Sequence, residues 1–124
     1  MRILLIILLS IVAAACTHVT TDVSPSQAYR PAGADNLWKI TGHLDSTYHE
    51  GAASVTVQRL LNVYIDNTPV VKGLLSAMGT GELSGRYLDH AIDVVSSSER
   101  KTVNWIDVQC LVLVDNERAV TLTF

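Results

Sequence analysis

The residues best suited to chemistry are four histidines, two cysteines and the carboxylates beside them. His43-x-Asp45, followed by His49-Glu50, is the densest group. On a strand His43 and Asp45 share a face, and His49 would return from a turn to complete a three-ligand set. The spacing follows no metal template, and an exposed polar loop accounts for the same residues. Asp89-His90 lies beside a turn, where an aspartate caps backbone groups more readily than it does acid–base work. Ser96-Ser97-Ser98 has no histidine at a spacing that points to a triad. The chain also lacks a G-x-S-x-G elbow, an H-E-x-x-H pair, a glycine-rich phosphate loop and a C-x-x-C pair. No catalytic residue, cofactor or metal site is assigned, and the expectation is a protein without enzymatic activity.

The two cysteines stand in different surroundings. Cys110 lies in Val108-Gln109-Cys110-Leu111-Val112, an apolar run that predicts a buried, inert thiol. Cys16 directly follows Ala13-Ala14-Ala15. Ahead of it, Met1-Arg2 is a short positive segment, and twelve of the thirteen residues from Ile3 to Ala15 are apolar. That is the layout of a secretory signal, and it is short for a transmembrane helix, which needs about 20 apolar residues. If Cys16 stays unmodified, a Cys16–Cys110 disulfide is the competing outcome in an oxidising compartment.

The run Val12-Ala13-Ala14-Ala15-Cys16 resembles the lipobox of bacterial prolipoproteins. The resemblance covers the first sixteen residues; Ala13 stands where that family most often has Leu. It implies cleavage between Ala15 and Cys16, a diacylglyceryl group on the Cys16 thiol and acylation of the new amino terminus. Several buried acyl chains, at ~0.8 kcal/mol per CH₂, would make membrane attachment effectively permanent. Thr17 follows the cysteine where an inner-membrane lipoprotein of that family tends to carry Asp. The implied location is therefore the outer membrane, lipid-anchored on the periplasmic side, with membrane lipid as one partner and an envelope protein as another.

The remainder of the chain must supply the domain. With 9 Lys+Arg against 12 Asp+Glu, the net charge is −3, which argues against nucleic acid, whose phosphates need a basic face. A chain of this size buries roughly two thirds of its unfolded surface and folds without metal or disulfide support. Residues 16–36, rich in Thr, Ser, Pro and Ala, read as a lipidated flexible tether between the signal peptide (1–15) and a β domain (37–124).

From residue 37 the texture is short alternating runs rich in Val and Thr. Ile106, Val108, Cys110, Val112 and Val114 line one face of a strand, and Val120, Leu122 and Phe124 alternate in the last one. Asp115-Asn116-Glu117-Arg118 joins these two as a hairpin. Asp66-Asn67 closes an earlier hairpin, in which Pro69 restricts the second strand to an edge or its first position. The two turns lie 49 positions apart and read as one turn solution used twice rather than as a repeat. Leu37–Thr41, Glu82–Leu88 and Ala91–Val95 are further strands, and Ser96–Lys101 is a solvated loop. Gly51–Ile65 fits helical spacing, but Val55-Thr56-Val57 and the turn after it favour a strand. The expected fold is all-β: an antiparallel sandwich or partly closed barrel of six or seven strands.

Asp66-Asn67 through Ser84-Gly85-Arg86-Tyr87 resembles the small lipid-anchored lysozyme inhibitors, which are periplasmic β-barrels. The resemblance spans about twenty residues and lacks the family's Lys-Gly motif and its disulfide. It implies that Ser84, Arg86 and Tyr87 enter a hydrolase cleft; plain strand residues are the other account of them.

Overall fold

A computed structural model describes residues 16–103 and 105–124. The apolar run and its lipobox-like end, residues 1–15, lie outside the described residues. Within them the chain is all-β, in two antiparallel sheets that do not close into a barrel. In the first sheet β1 (Cys16–Val23) and β2 (Gln27–Tyr29) lie end to end along one side of β3 (Trp38–Glu50). β4 (Val55–Ile65) and β5 (Thr68–Leu75) follow on its other side. The second sheet is a meander of β6 (Gly81–Tyr87), β7 (His90–Thr102), β8 (Trp105–Val114) and β9 (Glu117–Thr123).

Period-2 alternation sets what each strand buries. Ile40, Leu44, Leu61, Val63 and Ile65 point from the first sheet onto Ile92, Val94, Cys110, Val112 and Leu122 of the second. Each fully buried Leu, Ile or Val contributes roughly 1.5–3 kcal/mol relative to exposure, so this layer dominates stability. Three serines are buried with it, and each has a partner. Ser24 Oγ accepts from Gly42 N at 2.8 Å, and Ser46 Oγ accepts from Arg59 at 2.7 Å. The Ser96 hydroxyl donates to the Gly79 carbonyl.

The sheets also meet along their sides. Gly85 on β6 lies so close to β5 that a Cβ there would sit 1.9 Å from the Val70 carbonyl oxygen. At the opposite side the Gln27 side chain donates to the Thr121 carbonyl at 2.5 Å, tying β2 to β9.

The segment 51–65 is a strand from Val55 onward, as its β-branched residues predict. Pro69 sits on β5, an edge strand of its sheet, where its missing N–H costs nothing. The domain from residue 37 holds seven strands, β3 to β9, within the expected six or seven, and two more, β1 and β2, form before it. Other expectations are corrected. Residues 16–36 are not a spacer, because Cys16 to Val23 pair continuously with Glu50 to His43. The Thr and Val content of β1 supports that pairing, while its mostly exposed position removes the apolar alternation that would have revealed it. Ser96–Lys101 is not a loop but the outer half of β7, paired with β8 up to the tip. His43 to Glu50 likewise belong to β3.

The two Asp-Asn turns are also more than one solution used twice. Both have positive φ at both central residues, 50° and 65° at Asp66-Asn67, and 50° and 66° at Asp115-Asn116, the type I′ geometry that matches strand twist. Beside each turn the register shifts at the same step, between Val63 and Tyr64 and between Val112 and Leu113. Ile40 pairs with Ile65 and Leu44 with Leu61; in the second sheet Ile92 pairs with Val114 and Ser96 with Cys110. β3-β4-β5 and β7-β8-β9 are thus the same meander in the same register.

Candidate functional site

The starts of β3 and β7 and the two Asp-Asn turns converge at one end of the sandwich. There each aspartate clamps the beginning of a neighbouring strand. Asp66 N donates to the Lys39 carbonyl at 2.9 Å, while its Oδ1 accepts from Lys39 N at 3.0 Å. Asp115 N donates to the Ala91 carbonyl at 2.9 Å, and its Oδ1 accepts from Ala91 N at 2.9 Å. The second carboxylate oxygen of each reaches an aromatic side chain. Tyr87 Oη donates to Asp66 Oδ2 at 3.3 Å, and His90 Nδ1 lies 2.5 Å from Asp115 Oδ2. An ionised carboxylate only accepts, so Nδ1 carries the proton in this pair.

Trp38, 5% exposed, fills the space between them. Its ring meets Tyr87 edge-on at 4.9 Å and His90 edge-on at 5.1 Å, with Tyr29 at 6.3 Å on another side. Edge-to-face pairs add about 0.5–1.5 kcal/mol each to the area they bury. A depression of about 110 Å³ beside this cluster is lined by Tyr29, Pro31, Ala32, His90, Asp115 and Glu117.

The bonds from His90 and Ala91 hold the Asp115 carboxyl below the usual carboxylate range, with smaller help from the charges of His90 and Arg86. Lost solvation, then the charge of Asp66, raises the Tyr87 hydroxyl above its ordinary value. A carboxyl whose pKa is depressed on folding stabilises the fold above its unfolded value of ~3.9 and loses that contribution as pH falls through the folded value. Asp115→Asn is therefore expected to flatten the acid limb of the stability curve below about pH 4, checked by urea midpoints measured down to about pH 2. An unchanged limb would mean that Asp115 is not held by these bonds.

As chemistry, the cluster is an oriented imidazole–carboxylate pair with an aromatic floor. The pair pins the turn to the start of β7 and presents a polar, ring-lined surface. Asp89 follows Leu88 (φ 52°) in the turn between β6 and β7. It was His90, not Asp89, that took a structural bond.

The other sequence-predicted residues are dispersed. Ser84 and Arg86 face outward on β6, where Ser84 donates to Asp93 at 2.7 Å. Tyr87 points to the opposite face, onto Trp38, so the three do not form one surface. His43, Asp45 and His49 do share the outer face of β3, as alternation predicts, but each has a different neighbour. His43 stacks on Tyr64 at 4.8 Å, Asp45 accepts from Thr21 at 2.7 Å, and His49 lies 3.4 Å from Thr17 Oγ1. No metal-ligating group of three forms among the described residues. Cys16 is exposed and Cys110 buried, and both are free thiols.

Asp115 reads in the sequence only as a turn residue, and nothing there assigns Trp38 to this cluster. The two V-x-[IV]-D-N turns were the available signal, but the strand start that each clamps is far away in the chain. Compared with known proteins, the chain matches no protein family, no curated protein and no solved structure.

Proposed function

We propose that this chain is a bacterial envelope lipoprotein, anchored through acyl chains on Cys16, whose small periplasmic β domain has a non-enzymatic binding or accessory role. The observation that carries the reading is Val12-Ala13-Ala14-Ala15-Cys16 after an apolar run, with Cys16 exposed at the start of β1. Acylation needs an accessible thiol at the membrane surface, and a cysteine there meets that need. Thr17 rather than Asp favours the outer membrane. The polar groups of the aromatic end hold the fold together, which supports recognition of a partner protein there rather than catalysis. An inhibitory role for Ser84, Arg86 and Tyr87 gains nothing from side chains on opposite faces of β6.

Cys16→Ser tests the anchor. The variant is expected to incorporate no labelled fatty acid and to accumulate as unprocessed precursor, whereas the parent is labelled and cleaved. Normal processing of Cys16→Ser, or no label on the parent, would overturn the reading.

A further inference from the structure

We infer that the end of the sandwich bearing Cys16 sits directly on the lipid bilayer, with the two hairpin tips beside it entering the boundary between headgroups and acyl chains. This rests on the lipid-anchor reading and gives that anchor an orientation and a contact surface.

No slack separates Cys16 from the sheet. β1 begins at Cys16 itself, which pairs with Glu50 at the far end of β3. Acyl chains on the Cys16 sulfur therefore bring that end of the sheet to the lipid surface, with no linker between them.

Two hairpin tips lie at the same end. β3 and β7 both start at the Trp38–His90 contact. Midway along, Gly79 lies against both Arg59 and Val108, so the two strands run in the same direction. The tip between β3 and β4 and the tip between β7 and β8 accordingly project on the Cys16 side. They carry Val55 at 60% exposed, Val103 at 87% and Trp105 at 60%. Hairpin tips facing water are ordinarily built from polar and turn residues. An exposed tryptophan and valine on one tip, with an exposed valine on the other, instead match a membrane interface, where an apolar ring with one polar N–H is accommodated.

Charge at the tips is not positive: Arg100 and Lys101 stand against Glu50, Glu99 and Asp107, and Lys101 Nζ lies 3.1 Å from Glu99 and 3.8 Å from Asp107. Contact then depends on apolar and aromatic insertion, not on attraction to anionic lipid. β3 has thirteen residues, so at ~3.3 Å per residue the Trp38–His90 end stands about 40 Å from the bilayer, presented to partners.

The test uses the full-length, processed protein in phosphatidylcholine vesicles whose acyl chains carry bromine, a contact quencher of tryptophan. The chain has two tryptophans, and Trp38 is buried in the sandwich. Trp105 is expected to lose most of its emission and to shift to the blue. Trp105→Phe, a change at an exposed position, should leave only unquenched Trp38 emission. Mass spectrometry of the same sample reports the acyl chains on Cys16. Acylated protein whose Trp105 is unquenched overturns the docking and leaves the anchor standing. Protein without acyl chains overturns the anchor and the docking together.

Discussion

Gly85→Ala is expected to destabilise the domain by about 3 kcal/mol or more, the upper end of what overpacking costs. The added methyl would lie 1.9 Å from the Val70 carbonyl oxygen and 3.0 Å from Val71 Cγ2. The first obstacle is backbone of β5, so no rotamer change relieves it, and the two sheets must separate along that side. Gly51 supplies the control. A Cβ there meets only the Ser54 carbonyl oxygen, at 3.4 Å, and Gly51→Ala should be near neutral. Urea titrations of the two variants should show a large loss of midpoint for Gly85→Ala and an unchanged slope. Equal midpoints would mean that β5 and β6 do not approach as described.

Cys110→Asp carries the other large effect. The Cys110 side chain is 0% exposed, between Ser96 on β7 and Leu122 on β9, and its thiol donates to Ser96 Oγ at 3.4 Å. Burial pushes the thiol pKa up, and the bond to Ser96 offsets only part of this. A carboxylate in that place has no cation, and the cost of burying it, several kcal/mol, rivals the whole stability of a small domain. Cys110→Asp should be unfolded at neutral pH, whereas Cys110→Ala should lose only about 1 kcal/mol for a small cavity. Alkylation provides a second measurement, made on Cys16→Ser protein so that one thiol remains. Cys110 should label only after denaturant is added, and rapid labelling of the native protein would place it on the surface.

Cys110 was legible because every second residue from Ile106 to Val114 is apolar or small, and alternation reports burial directly when one face is covered. The same logic located the last hairpin and the strand nature of Val55–Ile65. It was silent on β1, which runs along one edge of its sheet with nearly every residue exposed, so Thr and Val there carry no in–out pattern. It misplaced Ser96–Lys101 because Ser96 is buried but polar and the outer hairpin beyond it is polar on both faces, so the whole run looks like a loop. The repeated meander escaped notice for a related reason. Strand pairing and a bulge constrain which face a residue occupies, not its identity, so Leu44 and Ser96 hold equivalent places. The aromatic end was beyond reach for a different cause. Tyr87, His90 and Asp115 meet through strand pairing within the second sheet, and Trp38 reaches them through the packing of one sheet on the other, which no local pattern encodes.

The pairing of β1 with β3 from Cys16 onward also determines how the domain responds to a pull on that residue. If Cys16 carries the acyl chains proposed above, a force drawing them out of a membrane acts along the strand axis, away from the body of the sandwich. Antiparallel hydrogen bonds lie perpendicular to the strands, so the eight residue pairs from Cys16–Glu50 to Val23–His43 are loaded together, in shear. A strand peeled from its other end would give up its bonds one at a time. The edge strand that leaves fewest marks in the sequence is thus attached in the geometry that resists extraction best, and a pull at Cys16 moves the folded domain as one body.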